Sequence, residues 1–438
     1  MFIMSFKNAV FSSTKINTSL NFGFIGLGMG GNSIAAACAD ISTNIPNKKY
    51  PYSALLINTN QIDLDKIEVQ NPAINKLLIG SGRGAGRNID LGEQMYLESE
   101  GEVQEHIKNQ FKDSDFIWIV AGLGGGTGTG SIIQAIGSVM KSGFKGKFGL
   151  ILTLPRKNEG LTVLSNAIKR LKKINQAMQA LGSMIIVDNQ KLFDHFTETK
   201  SNSALISDYL SFTNQFIAES LHELNVVTAS YKPVGENHFD SSEFENLVKT
   251  PGVLHFSKFS KPTSDISTSK AEDQVNDFKE NIVEGILSDG YDLGRTKRLA
   301  VSILADEATS NRVFNFGFTN AIESEINHIA PIANEKPIAF YNYNYKNIKD
   351  TYFYSVFAGL QLPERVKAMI QESNRLQEAE KQAALPSNDD IFADFEEVKV
   401  AGNDAELEFE DIFGTSNEEE SSKKEDETED AFDIMFKD

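Results

Sequence analysis

Residues 116–131 read Phe-Ile-Trp-Ile-Val-Ala-Gly-Leu-Gly-Gly-Gly-Thr-Gly-Thr-Gly-Ser, an apolar run that ends in six glycines among the nine residues 122–130. Glycine loses more backbone entropy on ordering than any other residue, so composition alone argues that this loop is not ordinary core. A loop without Cβ atoms can turn successive N–H groups inward and let a bulky anion approach the main chain. Thr127, Thr129 and Ser131 add hydroxyl donors. The apolar positions that follow (Ile132, Ile133, Ala135, Ile136, Val139) open a helix whose N-terminus favours negative charge. A strand before and a helix after fit a phosphate-binding loop better than a flexible surface turn. Gly124, Gly125, Gly126, Thr127, Gly128, Thr129 and Gly130 are therefore candidate phosphate contacts.

Two earlier segments have the same build. A strand over 20–26 leads into Gly26-Leu27-Gly28-Met29-Gly30-Gly31-Asn32, with a helix expected over 33–39, and a strand over 54–59 ends in Asn58-Thr59-Asn60. Further apolar runs at 147–153 and 183–187 alternate with helical patterns. Strands alternating with helices predict an α/β fold with a doubly wound parallel sheet and a ligand at the C-terminal strand ends. Gly26–Gly31 also satisfies the dinucleotide pattern G-x-G-x-x-G. That fold wants an acid at the end of the second strand for the ribose 2′-OH, and the first acid here is Asp63. A dehydrogenase has no use for a second phosphate loop, and no G-x-x-x-x-G-K-[ST] exists. One mononucleotide touched by several loops accounts for all of them.

The 438 residues suffice for two domains, and 40 % apolar with 24 % charged residues is an ordinary soluble composition. No apolar stretch approaches membrane-spanning length, and residues 1–15 lack the apolar core of a signal peptide. A single cysteine, Cys38, excludes an internal disulfide and reads as a small buried hydrophobe in a reducing cytoplasm. The net charge of −19 is unevenly placed: residues 387–438 carry 20 acids and 4 bases, net −16, and the other 386 carry 41 acids and 38 bases, net −3. Neither part offers a basic stripe, so the reading has no direct DNA binding; contact with DNA requires a basic partner.

Apolar residues at Leu205, Tyr209, Phe212, Phe216, Ile217, Leu221 and Leu224 have helical spacing over more than five turns. A solvent-facing loop is expected over 261–276, where Ser, Thr and Asp are dense. A helix starts at Leu362-Pro363-Glu364 and ends by Pro386, with charges of alternating sign. Beyond it the chain is too acidic to bury a core and is expected to be disordered. It repeats an acid–apolar–Phe unit beginning at Asp390, Asp411 and Asp433, spacings of 21 and 22, which sets out Phe392, Phe413 and Phe436. An exposed Phe in a solvating tail has no stability role, so these three are candidate docking anchors.

The run Gly124–Gly130 resembles the signature loop of the tubulin and FtsZ superfamily of GTPases, and length and flanking residues are most similar to its plasmid- and phage-encoded TubZ branch. The resemblance covers residues 20–385. It implies an N-terminal arm (1–19), a GTP-binding domain (20–203), a central helix (204–231) and a second, α+β domain (232–361). A C-terminal helix (362–386) and the acidic tail (387–438) follow. It places Gly28, Gly30, Gly31 and Asn32 at the α-phosphate and base, Asn58 beside them, and Gly84, Ala85 and Gly86 at the γ-phosphate. Arg87 stands where FtsZ has a small neutral residue, either as a cation near that phosphate or as a surface side chain. Glu159 is similar to the ribose ligand, Asn189 to the residue reaching guanine, and Tyr209 and Asn214 to the base-stacking and guanine-reading positions.

The segment His238-Phe239-Asp240-Ser241-Ser242-Glu243 resembles the superfamily's catalytic loop, Asn-x-Asp-x-x-Asp, with His238 for Asn and Glu243 for the second Asp. Asp240 and Glu243 are thus the catalytic candidates. Read locally, the same two acids are a helix cap and its partner in a capping box, and that alternative stays open. The resemblance further implies Mg²⁺ held by phosphates and water, GTP hydrolysis completed by the neighbouring subunit of a head-to-tail filament, and treadmilling as GTP turns to GDP. It implies movement of plasmid or phage DNA through a basic TubR-like adaptor on centromere repeats, with a link to plasmid replication, and no membrane role. The rival readings are FtsZ-like cell division and a non-hydrolysing structural filament.

Overall fold

The computed structural model describes residues 17–43, 48–199, 205–235, 239–266, 271–344 and 350–382. His238, most of the N-terminal arm and the acidic tail with Phe392, Phe413 and Phe436 lie outside them. The chain divides into two compact units, 1–374 and 375–438, and the described part of the second, 375–382, is helical.

Among the described residues eleven strands are interspersed with helices: β1 (Phe22–Leu27), α1 (Gly28–Ala39), β2 (Ser53–Asn58), α2 (Gln61–Asp65), β3 (Ile74–Leu78), α3 (Ile89–Glu98), α4 (Glu100–Gln110) and β4 (Phe116–Gly122) come first. Then follow α5 (Thr127–Lys141), β5 (Lys147–Leu154), α6 (Leu161–Ala177), β6 (Ser183–Asp188), α7 (Asn189–Thr199) and α8 (Ile206–Ser230). The rest comprises β7 (Lys232–Pro233), α9 (Ser241–Lys249), β8 (Gly252–Pro262), α10 (Ala271–Ile282), β9 (Arg298–Asp306), α11 (Glu307–Val313), α12 (Phe316–Ile329), β10 (Ile338–Tyr343), β11 (Asp350–Leu360) and α13 (Glu364–Gln382).

The strands form one sheet in the order β3-β2-β1-β4-β5-β6-β8-β11-β9-β10-β7. β1 to β6 are all parallel, as the alternation predicted. β11 runs antiparallel to both β8 and β9, which gives the second half its mixed, α+β character. The halves are joined where Ser183 and Met184 of β6 pair with Gly252 and Val253 of β8. One face of the parallel half presents Phe22, Phe24, Leu56, Phe116, Trp118 and Val120 to Ile34 and Ala35 of α1 and to Ile217, Leu221 and Leu224 of α8. The alternate residues Ile25, Leu55, Ile57, Ile117 and Ile119 are also buried, as a sheet covered on both sides requires.

The central helix is longer than its strongest pattern and is anchored along its length. His222 meets the Tyr52 hydroxyl at 2.9 Å, Asn225 bonds both ends of its amide to the backbone of Leu20, and Glu223 pairs with Lys258 of β8 at 2.8 Å with both side chains buried. Cys38 is buried in α1.

Two expectations need correction, and one strand escaped the sequence reading. The loop expected over 261–276 is cut at both ends: β8 continues to Pro262 and α10 begins at Ala271, with 267–270 outside the described residues. Phe278 and Ile282, one turn apart and fully buried, dock that helix, while Asn276, Lys279 and Glu280 are exposed. Strand β3 is an edge strand whose outward Asn75 and Lys76 hide it from an apolar scan. Helix α1 starts at Gly28, so the first glycine segment is helix rather than loop. Among the described residues no helix is long and apolar enough to cross a membrane.

Candidate functional site

Strands β1 and β4 are neighbours at the point where strand order reverses, which sets the N-termini of α1 and α5 side by side. They nearly touch: Gly28 has φ +67°, and a Cβ there would lie 2.8 Å from the nitrogen of Gly128. Neither helix has a side-chain cap or an acid in its first turn. By contrast Asn60, Asn88, Asp240 and Asn315 cap α2, α3, α9 and α12. Two adjacent helix N-termini with unspent N–H groups attract an anion.

Most glycines of the run are also required by packing. A Cβ on Gly126 would stand 2.6 Å from the carbonyl oxygen of Gly86, on Gly128 2.7 Å from that of Leu27, and on Gly130 2.3 Å from that of Ile89. Gly31 is equally confined, 2.2 Å from the Val120 carbonyl. These glycines let α1 pack its main chain against β4, and α5 its main chain against the end of β1, the loop at 85–88 and the start of α3. A Cβ on Gly124 would meet Val163 at 2.4 Å. Gly125 and Gly86 have nothing within 4 Å, and Gly30 only the Cα of Gly122 at 4.0 Å, so these three line open space.

The hydroxyls and amides divide in the same way. Thr129 is buried and accepts from the Gly124 N–H at 2.7 Å, closing the loop on itself; Thr127 meets Thr59 at 2.6 Å. Asn32, expected at the nucleotide, is buried and spends both ends of its amide on the backbone of Ile57, at 3.0 and 3.1 Å, tying α1 to β2. Asn58 Oδ1 accepts from Thr59, while its buried Nδ2 has no partner among the described residues. The loop Gly84-Ala85-Gly86 is held over the glycine run: the Gly84 N–H donates to Thr59 and the Gly126 N–H to Gly86. The Arg87 side chain is exposed, and its carbonyl accepts from Asn166.

Beside this cradle lies a cavity of about 520 Å³, within the usual range for a small-molecule site. Gly30, Glu159, Asn189, Tyr209 and Asn214, each expected at the base or ribose, line it together. The Tyr209 hydroxyl donates to the Asn189 carbonyl at 3.1 Å, and Glu159 accepts from the Arg156 N–H at 3.0 Å. Phe193 and Phe196 stand edge-on to Tyr209, at 5.4 and 5.5 Å between ring centres. Sequence reasoning missed these two rings, both on α7, and Arg156, which lies in the loop after β5; only the charge of Arg156 three residues before Glu159 was there to be noticed. It also missed Arg365 of α13, which donates to the Pro155 carbonyl and reaches Asp188 at 3.4 Å, fastening the ends of β5 and β6. Burial pushes the Asp188 carboxyl up, and the Arg365 charge opposes that shift.

Asp240 and Glu243 are not among the residues lining this cavity. They form a complete capping box at the start of α9. Asp240 Oδ1 accepts from the N–H groups of Ser242 and Glu243 at 2.8 and 2.9 Å, and Glu243 Oε2 accepts from that of Asp240 at 2.9 Å.

Residues 21–197 match the family model described as Tubulin/FtsZ family, GTPase domain, and residues 237–364 match Tubulin-like protein TubZ, C-terminal domain. The tubulin-like protein TubZ of Bacillus cereus is 42 % identical over 374 residues, covering 84 % of this chain and 85 % of that protein. The chain belongs to the TubZ family of tubulin-like proteins. The archaeal tubulin-like protein CetZ4 of Haloferax volcanii is 28 % identical over 59 % of this chain and 64 % of its own length. Among solved structures, the GTPγS-form protofilament of Bacillus thuringiensis serovar israelensis TubZ superposes with a TM-score of 0.70 at 19 % identity, over 85 % of this chain and 95 % of that one. The helical model of a two-stranded TubZ-Bt filament gives 0.72 at 18 %, over 89 % and 95 %. At such identities the likeness speaks for the TubZ fold.

Proposed function

We propose that this chain binds and hydrolyses GTP, polymerises head to tail, and uses its filaments to move plasmid or phage DNA in the bacterial cytoplasm. One observation carries the reading most: two uncapped helix N-termini meet at Gly28 and Gly128, beside a cavity that gathers Glu159, Asn189, Tyr209 and Asn214. The first-turn N–H groups of α1 and α5 hold the phosphates, Glu159 takes the ribose hydroxyls, and Tyr209 carries the base while Asn189 and Asn214 meet its edge. Among the described residues there is no group of three His, Cys, Asp or Glu to hold a metal. Mg²⁺, which the family resemblance implies, would be carried by phosphate oxygens and water and would neutralise charge on the transferring phosphoryl group.

Within one chain no carboxylate of α9 lines the cavity, so hydrolysis draws its acids from elsewhere. In a head-to-tail contact, Asp240 and Glu243 of one subunit enter the cleft of the next and orient the attacking water; such a contact does not close on itself and yields filaments. GTP favours assembly and GDP favours loss of subunits, which makes the filaments treadmill. The net −16 of residues 387–438 steers a basic TubR-like adaptor bound to centromere repeats, and Phe392, Phe413 and Phe436 supply apolar anchors. Removing residues 387–438 is expected to leave polymerisation and GTP turnover near normal and to abolish recruitment of adaptor–DNA complexes, measured by co-sedimentation with filaments. Full recruitment by the truncated chain would refute the tail's role.

A further inference from the structure

The cavity beside the glycine cradle has one cation among its lining residues, Arg156, and one acid, Glu159. The Arg156 guanidinium carbon lies 4.9 Å from the centre of the Phe193 ring and 5.9 Å from that of Tyr209, on the aromatic wall where a base would stack. Its Nε stands 3.7 Å from Glu159 Oε1, within ion-pair range but beyond a hydrogen bond. That carboxylate is held instead by the Arg156 backbone N–H at 3.0 Å. The guanidinium is therefore placed by ring faces and a neighbouring charge, and its fork of N–H donors is directed by neither.

Apart from Glu159, an acceptor that the proposed function assigns to the ribose, the polar groups that line the cavity beside Arg156 are ambivalent. Asn189 and Asn214 each carry a carbonyl and an amino group, and the hydroxyls of Thr153 and Thr213 both donate and accept. An amide can turn over to suit either purine. Guanidinium cannot: it donates and never accepts. The O6/N7 edge of guanine offers two acceptors side by side, whereas adenine shows N7 beside an amino donor. A donor-only planar fork matches the first and opposes the second.

We propose that Arg156 reads the O6/N7 edge of guanine and is the residue by which this cleft rejects adenine. The proposal rests on the guanine-nucleotide reading of the site and deepens it. Affinities of the full chain for GTP, 7-deaza-GTP, ITP and ATP, measured by calorimetric titration, separate the two. ITP keeps O6 and N7; 7-deaza-GTP loses N7 alone. Wild type is expected to bind GTP and ITP in preference to ATP and to lose about tenfold on 7-deaza-GTP, a bidentate contact contributing about 5- to 150-fold of discrimination. Arg156→Ala should erase the 7-deaza penalty and shrink the GTP-over-ATP ratio by that range. Arg156→Lys, a point charge without the fork, should fall between. Arg156 is part-exposed, so melting curves of both variants should match wild type. Equal weakening of all four nucleotides in Arg156→Ala, or a wild type indifferent to 7-deaza substitution, overturns the proposal while leaving the guanine reading intact. A wild type that binds ATP as tightly as GTP overturns both.

Discussion

The cleft above β1 and β4 and the turn that opens α9 both carry residues with plain chemical meaning, yet their hydrogen bonds are spent in opposite ways. At the cleft, α1 and α5 leave their first-turn N–H groups uncapped and aim them at a common space. At the turn, Asp240 and Glu243 satisfy the N-terminus of their own helix and each other's backbone. The first surface is built to receive a ligand within one chain. The second is complete as a helix cap, and the proposed mechanism gives it a chemical task only when the cleft of another subunit is brought to it. A carboxylate oxygen accepts more than one hydrogen bond, so capping and water positioning are compatible.

The largest expected effect separates packing from binding inside the glycine run. Gly126→Val drives a side chain into the Gly86 and Ala85 carbonyls and should cost about 4 kcal/mol of stability. Gly125→Val projects into open space; it should keep its urea midpoint within about 0.5 kcal/mol and lose at least about tenfold in GTP affinity. If Gly125→Val binds GTP normally, the open glycines do not mark the phosphate site.

The next effect concerns α8, which carries Tyr209 and Asn214 toward the cleft and leads on toward the turn. Burial holds the His222 imidazole at a pKa of about 4, below its ordinary 6.5. The unfolded chain therefore takes up a proton between pH 6.5 and 4 that the folded chain refuses. This contribution is fully present above pH 6.5 and is lost as pH falls toward 4, at about 1.4 kcal/mol per unit and about 3 kcal/mol in all. His222→Gln should flatten that part of the slope in urea unfolding at pH 7 and pH 5. Identical slopes for the two proteins would show that His222 titrates normally.

A smaller effect tests the turn as a cap. Asp240→Ala should cost about 1 kcal/mol in stability, as loss of a cap does, yet leave GTP affinity unchanged and reduce turnover in filaments at least tenfold. A variant that loses the stability but hydrolyses GTP at the wild-type rate would confine Asp240 to capping.

The parallel half of the fold was legible because strand, glycine loop and helix follow one another with clear periodicity, and Glu159, Asn189, Tyr209 and Asn214 share the cavity that the family resemblance implied. What stayed hidden has physical causes. A glycine required by packing looks in sequence like one that lines open space, so the main-chain contacts of Gly126, Gly128 and Gly130 are not legible there. Asn32 sits amid glycines like a ligand residue, but its partner is the backbone of a strand far along the chain. Arg156, Phe193 and Tyr209 meet only once the loop after β5, α7 and α8 are in place. The polar face of α10 masked two buried anchors, Phe278 and Ile282.

The central claim is that the cleft binds GTP within one chain and hydrolyses it only with the turn of another. GTP turnover per subunit, measured across protein concentrations from well below to well above the assembly threshold, tests it directly. The account predicts a rate per subunit that rises steeply through the threshold and then levels off. A rate per subunit that stays flat across the whole range would contradict it.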